Sequence, residues 1–215
     1  MKKPTRERIC AVVLKLLDKS GDGNGVSIRR VAAEVGITPM AIYKHFPNRD
    51  ALLKGATSAE YKRIGAYFER ANARKNVQGL RGMLGYLDYA LDHPNLFQYM
   101  FSRVRAEAYV FPGELNAGKS PTMNILYSFV GGAMESGILR KDDVFETSLS
   151  IWAHAHGVIM LYLAGRIELP KGQLRNLYLR SLNRLLDGLT AQPHKAREIL
   201  KRGQMQSKKR CIATP

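Results

Sequence analysis

The stretch "VSIRRVAAEVGITPMAIYKHFPNRDALL", residues 26–53, decides how the N-terminal part of the chain folds. Ser27 predicts the N-cap of a short helix, and Gly36 suits the left-handed position that ends such a helix. Thr38 predicts a second N-cap, and Pro39 suits the first position of the next helix, where a missing N–H group has no cost. The stretch therefore predicts two short helices joined by the tight turn "VGIT".

The side chains of these two helices separate into an inward set and an outward set. The inward set is apolar and contains Val31, Ala32, Val35, Ile37 and Ile42. The outward set on the second helix contains Met40, Ala41, Lys44 and His45, with Tyr43 at one flank. A short, exposed helix of cationic and aromatic character suits insertion into the major groove of DNA. An ordinary helical hairpin has the same pattern, so the pattern alone leaves both interpretations open.

The overlapping stretch "DKSGDGNGVSIRR", residues 18–30, places oxygen-bearing side chains where an EF-hand loop carries its calcium ligands. Asp18, Ser20 and Asp22 fall on the first, third and fifth positions of such a loop. The last position requires a bidentate carboxylate, and here it is the cation Arg29. The stretch is therefore interpreted as a glycine-rich joint between two helices, and we predict no metal site.

The charge balance of the chain points to a polyanionic partner. The 215 residues include 34 Lys and Arg against 18 Asp and Glu, which gives a net charge of +16. Such an excess favours nucleic acid or an anionic membrane surface. No apolar run approaches the roughly 18 residues that a membrane helix needs, and no apolar segment follows the charged N-terminus. Cys10 and Cys211 give no disulfide framework, so we expect a cytoplasmic protein.

Apolar residues recur at three- and four-residue steps almost throughout, so the predicted fold class is all-α. The first helix ends at the glycines that follow Ser20, and Asn48 caps a fourth helix that runs to about residue 73. Further helices are predicted at 77–92, 94–107, 120–137, 142–166 and 171–189. Residues 194–215 hold seven Lys or Arg against one acid. They predict a basic tail that either lies along DNA or is solvated charge.

Residues 26–53 resemble the DNA-binding signature of the tetracycline repressor (TetR) family of bacterial transcription regulators. The run "YKHFPNRDALL" follows the "GIT" turn at the spacing of that family, and the strong resemblance covers about residues 5–55. The resemblance implies a three-helix, helix-turn-helix DNA-binding domain at residues 1–55. It further implies a helical ligand-binding and dimerisation domain at residues 56–190. The basic tail at residues 191–215 is predicted from its composition and not from the resemblance.

The resemblance also implies roles for individual residues of the first domain. The positions that match contacts to DNA phosphates are Ser27, Tyr43 and His45. Arg29 matches a position that reaches a base edge or a phosphate. The residues of the reading helix are Thr38, Pro39, Met40, Ala41 and Lys44. The residues near the DNA backbone at the start of the fourth helix are Arg49 and Lys54.

For the second domain the resemblance implies a ligand pocket and a dimer interface on the last two helices. Methionine and aromatic side chains adapt to apolar ligands. The pocket candidates are Met83, Tyr86, Phe97, Met100, Phe101, Met123, Tyr127, Trp152, His156 and Met160. The interface candidates form a stripe on the last helix and are Leu174, Leu177, Tyr178, Ser181, Leu182 and Leu185. Every residue of both sets is also compatible with the core of a single chain.

These features predict a ligand-responsive transcription regulator. In its simplest form it is a repressor that binds a palindromic double-stranded DNA operator as a homodimer and leaves it when a small-molecule effector binds. The alternative is a ligand-independent basic protein that packages nucleic acid or lies on a membrane surface. No Ser–His–Asp set or carboxylate pair stands out, and His154 and His156 lie on different sides of a helix. We therefore expect no enzymatic activity and no cofactor.

Overall fold

The computed structural model describes residues 4–72, 81–101, 111, 113 and 120–191. Within these residues the chain forms nine α-helices and no strand. The helices are α1 (Thr5–Ser20), α2 (Ile28–Val35), α3 (Pro39–Tyr43), α4 (Arg49–Asn72), α5 (Arg81–Asp92), α6 (Pro94–Phe101), α7 (Pro121–Glu135), α8 (Val144–Leu163) and α9 (Lys171–Leu189). The predicted all-α fold class is therefore confirmed. Among these helices, none combines the length and the apolar character needed to cross a bilayer.

Polar caps and left-handed glycines set the ends of the first helices, as the sequence predicts. The Ser27 hydroxyl accepts a hydrogen bond from the Arg30 amide at 3.2 Å, and the Thr38 hydroxyl accepts one from the Ala41 amide at 3.3 Å. Gly36 ends α2 at a φ of 76°. A side chain at that φ would be strained, so glycine is the residue that permits the tight turn into α3.

Helix α8 is shorter than the periodicity predicts. The Asp143 carboxylate caps α8 by accepting from the Glu146 amide at 2.8 Å, so this helix begins at Val144 instead of residue 142. It stops at Leu163, because Gly165 adopts a φ of 69° soon afterwards. The predicted helices at 77–92 and 94–107 lie partly outside the described residues. The predicted tail lies outside them from residue 192 onwards.

A continuous apolar core runs from α1 to α9. Helix α1 contributes Ile9, Val13 and Leu17, and the α2–α3 hairpin closes on them from the other side. The Arg8 guanidinium fastens this packing by donating to the Val35 carbonyl at the end of α2, at 2.8 Å. Helix α4 runs without a break through residue 55, where the sequence divides into its two predicted domains.

Helices α4 and α5 approach each other closely at Gly85. A Cβ atom added at Gly85 would lie 2.2 Å from the Tyr67 carbonyl oxygen of α4, and that backbone oxygen cannot move away cheaply. At the far side of α5, the buried Tyr178 hydroxyl of α9 donates to the Met83 carbonyl at 2.9 Å. Helix α5 is therefore held between α4 and α9.

Gly85→Ala should destabilise the protein by about 2–3 kcal/mol, because the new methyl group forces two packed helices apart. Gly132→Ala is the matched control. Gly132 lies in α7, where an added Cβ meets no described atom within 4 Å, and alanine is the better helix former by about 1 kcal/mol. Chemical denaturation of the two variants should therefore give changes of opposite sign. Equal midpoints would contradict the close α4–α5 approach.

Candidate nucleic-acid interface and regulatory core

Helix α3 exposes one face that has both apolar and basic side chains. Met40 is 69% exposed and Tyr43 is 48% exposed, although both are large apolar residues. Lys44 and His45 follow them on the surface, and Thr38 and Pro39 are exposed at the start of the helix, while Ala41 is half-buried. Ile42 points the other way and is fully buried. The core therefore fixes one side of α3 and leaves the other side available for a partner.

The start of α2 adds further polar groups to the same hairpin. Ser27 and Arg29 are exposed there, and Lys54 is exposed on α4. The Ser27 oxygen accepts from the helix, so its O–H proton is still available to donate to an external acceptor. The structure thus leaves Ser27, Arg29 and Lys54 accessible, as a contact with DNA phosphates requires.

Arg49 has a structural role that the sequence did not predict. Its Nε atom donates to the Val26 carbonyl at 2.8 Å, and its Nη2 atom donates to the Gly23 carbonyl. The guanidinium is half-buried against the loop that precedes α2. The Arg49 side chain therefore joins the glycine-rich loop to the start of α4, and its contact with the DNA backbone stays a prediction.

The carboxylates of the glycine-rich loop are used within the fold. Asp22 accepts from the amides of Asn24 at 3.0 Å and Gly25 at 3.4 Å, which closes the loop as an Asx turn. Asp18 turns away from the loop towards α6, where its carboxylate oxygens lie 3.4 Å from the Leu96 amide nitrogen and 3.5 Å from the His93 ring. The loop is therefore built as a joint, as its glycines predict.

A cluster of aromatic rings occupies the centre of the C-terminal half. Its members are Tyr86 of α5, Phe97 and Phe101 of α6, and Trp152 and His156 of α8, and we call them the aromatic cluster. Phe97 and Phe101 lie 4.8 Å apart between ring centroids, and the His156 ring lies 5.2 Å from that of Phe101. Tyr86 and Phe97 are buried, whereas the other three are partly exposed. Five of the ten predicted pocket residues are thus brought together.

Three polar atoms form a chain inside the aromatic cluster. Trp152 Nε1 donates to the Tyr86 hydroxyl oxygen at 3.1 Å, and that hydroxyl lies 3.0 Å from His156 Nδ1. Burial lowers the pKa of His156 and raises the pKa of Tyr86, so both side chains are neutral near pH 7. We assign the Tyr86 proton to the bond with His156 Nδ1, which places the histidine's own proton on Nε2.

Four of the other predicted pocket residues are methionines. Met83, Met100 and Met123 are buried in the core, and Met160 is partly buried. Tyr127 is 37% exposed on α7. Met123 and Leu126 supply the buried side of α7, and the place of Tyr127 in a pocket stays a prediction.

The predicted interface stripe on α9 divides into two faces. Leu174, Tyr178 and Leu182 are buried within the single chain, so these three pack against their own core and are not available to a partner. This corrects their assignment to a dimer interface. The remaining three, Leu177, Ser181 and Leu185, are half-exposed and recur at four-residue steps. They form a separate face of α9 that the core covers only in part.

Helix α8 exposes an apolar face whose residues were not among the predicted interface candidates. Leu149 is 37% exposed and Leu161 is 49% exposed, with exposed Ala153 and half-buried Gly157 between them at four-residue steps. We call these four residues the α8 face. Beside this face, a hydrogen bond of 2.8 Å between His154 Nε2 and the Ser181 hydroxyl joins α8 to α9. The stretch "WAHAHGVIMLYLAG" carries apolar residues on nearly all sides of the helix. Such a helix is normally covered by other elements on more than one side, so the stretch already indicated a second contact surface.

Family comparisons agree with the two halves of this architecture. Residues 23–56 match bacterial regulatory proteins of the tetR family, and residues 80–187, about half of the chain, match the tetracyclin repressor-like C-terminal domain. Among curated proteins, none matches the chain. The first match spans the α2–α3 hairpin, and the second spans the helices that carry the aromatic cluster and the α8 face.

Solved structures share the fold along most of the chain. A protein of unknown function from Rhodococcus sp. RHA1 is 23% identical, with a TM-score of 0.72 and coverage of 88% of this chain and 97% of its own. A TetR-family transcriptional regulator from Streptomyces coelicolor is 18% identical, with a TM-score of 0.64 and coverage of 92% and 87%. RolR, solved in complex with resorcinol, is 15% identical, with a TM-score of 0.61 and coverage of 92% and 93%.

The matched residues contain the helix-turn-helix hairpin and most of the helical half that follows it. The similarity to this family therefore includes the C-terminal helices as well as residues 26–53. The chain belongs to the TetR family of DNA-binding transcription regulators.

Proposed function

We propose that the protein is a ligand-responsive repressor that binds a palindromic operator as a homodimer. The observation that carries the proposal is the outward face of α3, where Met40 and Tyr43 are exposed beside Lys44. Exposing two large apolar side chains on a five-residue helix is unfavourable in water, and contact with thymine methyl groups and deoxyribose would cover them. Lys44 supplies the charge that such a contact requires.

Two α3 helices reach one operator only if two chains associate. The α8 face and the exposed side of α9 together provide an apolar surface with small residues in its centre, which suits close packing of helices from two chains. An interface of two-fold symmetry places the two reading helices on equivalent half-sites of a palindrome. We therefore assign Leu149, Leu161, Leu177 and Leu185 to the dimer interface.

The aromatic cluster supports the effector site of the proposal. Partly exposed Phe101, Trp152 and His156 offer flat apolar surface, and His156 Nε2–H is a hydrogen-bond donor within it. An effector that suits these groups has an aromatic or apolar body and one hydrogen-bond acceptor. RolR, which shares the fold, was solved with resorcinol, a molecule of this general chemistry.

Effector binding would release DNA through differential affinity for two states. In one state the two α3 helices have the spacing of successive half-sites, and in the other they do not. An effector that binds the second state more tightly lowers operator affinity by the same factor by which the operator lowers effector affinity. This scheme requires no catalytic step.

Enrichment of random duplexes by the purified protein tests the proposal. We expect an inverted repeat whose two halves are separated by about one or two helical turns, because each subunit contributes one reading helix. Recovery of a single half-site would contradict the homodimer. Recovery of duplexes without a shared sequence would favour a packaging protein.

Tyr43→Phe should weaken binding to the enriched duplex by about 1 kcal/mol for each subunit, because it removes one hydroxyl donor to a phosphate. The loss should be equal for all single-base variants of the duplex, since phosphate contacts carry no sequence information. Tyr127→Phe is the matched control, because it removes the hydroxyl of an exposed tyrosine outside α3. A loss confined to one base pair would instead assign Tyr43 to base reading.

A further inference from the structure

Helix α6 receives its N-terminal cap from helix α1. The Asp18 carboxylate, near the end of α1, accepts from the Leu96 amide in the first turn of α6 at 3.4 Å. The Asp18 carbonyl accepts from the Asn95 side-chain amide at 2.7 Å. A carboxylate at this place satisfies unpaired amides and interacts favourably with the helix dipole. The N-terminal half of the molecule thus supplies a group that stabilises a helix of the C-terminal half.

The residue that precedes α6 ties the same point to α4. His93 Nδ1 lies 3.5 Å from the Asp18 carboxylate, and Arg63 of α4 reaches His93 Nε2 at 2.9 Å. A guanidinium can only donate, so His93 Nε2 accepts from Arg63, and the other ring nitrogen, Nδ1, faces Asp18. One imidazole ring therefore links α1, α4 and the start of α6.

A buried carboxylate holds Arg63 in this position. Glu60 is 4% exposed, lies 3.5 Å from the Arg63 guanidinium, and accepts from the Tyr89 hydroxyl at 2.8 Å. The Tyr89 ring in turn lies 5.3 Å from the His93 ring. The junction is thus connected by hydrogen bonds to the core of the C-terminal half, and its side chains have little freedom to rearrange independently.

The opposite end of α6 enters the aromatic cluster. Phe97 and Phe101 both lie on this helix, and Phe101 lies 6.3 Å from the Trp152 ring. The described part of helix α6, Pro94–Phe101, is about 12 Å long. We take this segment to move as a unit, so that a shift at Phe101 reaches Leu96 and Asp18.

We propose that Asp18 is a positioning residue that couples the aromatic cluster to the DNA-binding helices by capping α6 from α1. This inference rests on the proposed function, because it assigns a route to its effector response. Movement of α6 displaces Asp18 and with it α1, whose Arg8 holds the end of α2 at Val35. Loss of the carboxylate should leave both binding surfaces intact and remove the communication between them.

Two substitutions of Asp18 distinguish the loss of the capping acceptor from the loss of the carboxylate charge. Asp18→Ala removes the acceptor, whereas Asp18→Asn keeps an oxygen that accepts from the Leu96 amide. Trp152, the single tryptophan of the chain, reports on the aromatic cluster through its fluorescence. Because coupling is reciprocal, DNA binding at α3 should change the emission of Trp152 in the wild-type protein.

The experiment measures Trp152 emission while the enriched duplex is added to the wild-type protein and to each variant. We expect a saturable change for the wild type, a similar change for Asp18→Asn, and loss of at least half of it for Asp18→Ala at full DNA saturation. An undiminished change in Asp18→Ala, or no change in the wild type, overturns the proposal. Asn95→Ala, which removes only the amide donor to the Asp18 carbonyl, gives a second variant if Asp18→Ala does not fold.

Hydrogen exchange of the Leu96 amide, measured without DNA, tests the capping role of Asp18 independently of the proposed function. The Leu96 amide should exchange about fivefold faster in Asp18→Ala than in Asp18→Asn, which is the size expected for loss of one cap. Equal exchange rates overturn the capping role. If no duplex is enriched, the proposed function fails and the coupling role fails with it, while the exchange rates still decide whether Asp18 caps α6.

Discussion

Met40→Glu should reduce operator affinity by about 100-fold or more without unfolding the protein. Met40 is the most exposed large apolar residue of the described chain, so a charge there costs the fold little. In the complex the new carboxylate would face DNA phosphates, and a homodimer would carry two of them. Like charges brought together at an interface cost several kcal/mol, and about 3 kcal/mol corresponds to the stated loss.

Tyr127→Glu is the matched control for Met40→Glu. It changes the net charge by the same amount at another exposed aromatic or apolar position, on α7 instead of α3. Operator titrations of the two variants at the same salt concentration should differ by about the full 100-fold, because general repulsion from DNA is equal in both. Similar losses in the two variants would remove α3 from the DNA interface.

Leu161→Glu should convert the dimer into monomers at micromolar concentration. In the single chain Leu161 is 49% exposed, so glutamate is tolerated there before association. In the dimer the carboxylate would be buried in the apolar contact between the two α8 faces. Leaving a charge uncompensated in such a place costs about 3 kcal/mol or more, which raises the dissociation constant about 100-fold or more.

Sedimentation of Leu161→Glu, with Tyr127→Glu again as control, tests the interface. Operator affinity should fall together with dimerisation, because one reading helix contacts only one half-site. Leu182→Glu should behave differently: Leu182 is buried in its own chain, so its main effect should be loss of folded protein. A dimeric Leu161→Glu variant would place the interface elsewhere.

The sequence was sufficient to predict the local features of the fold. Ser27, Thr38 and Gly36 are recognisable because capping and left-handed backbone depend on the residue itself and its immediate neighbours. The inward position of Ile42 follows in the same way from helical spacing. Spacing also correctly separates His154 from His156, which bind α9 and α5 respectively.

The sequence was not sufficient where the outcome depends on distant parts of the chain. The hydrogen bonds from Arg49 to the loop carbonyls of Gly23 and Val26 join residues more than 20 positions apart, so the sequence does not predict them. The α9 stripe contains two neighbouring apolar faces, and only the packed structure shows that Leu182 belongs to the inner one. The cap that Asp18 provides to α6 joins residues 78 positions apart and has no local signature.

Sequence-specific recognition of DNA can be measured as the ratio of two affinities. The affinity for the enriched duplex should be compared with that for a duplex of the same composition in scrambled order, at about 0.15 M salt. A repressor with a reading helix should prefer the first by at least about 1,000-fold, the lower limit for specific over non-specific binding. A ratio near one would mean that the positive charge of the chain binds DNA without reading it, and would contradict the account.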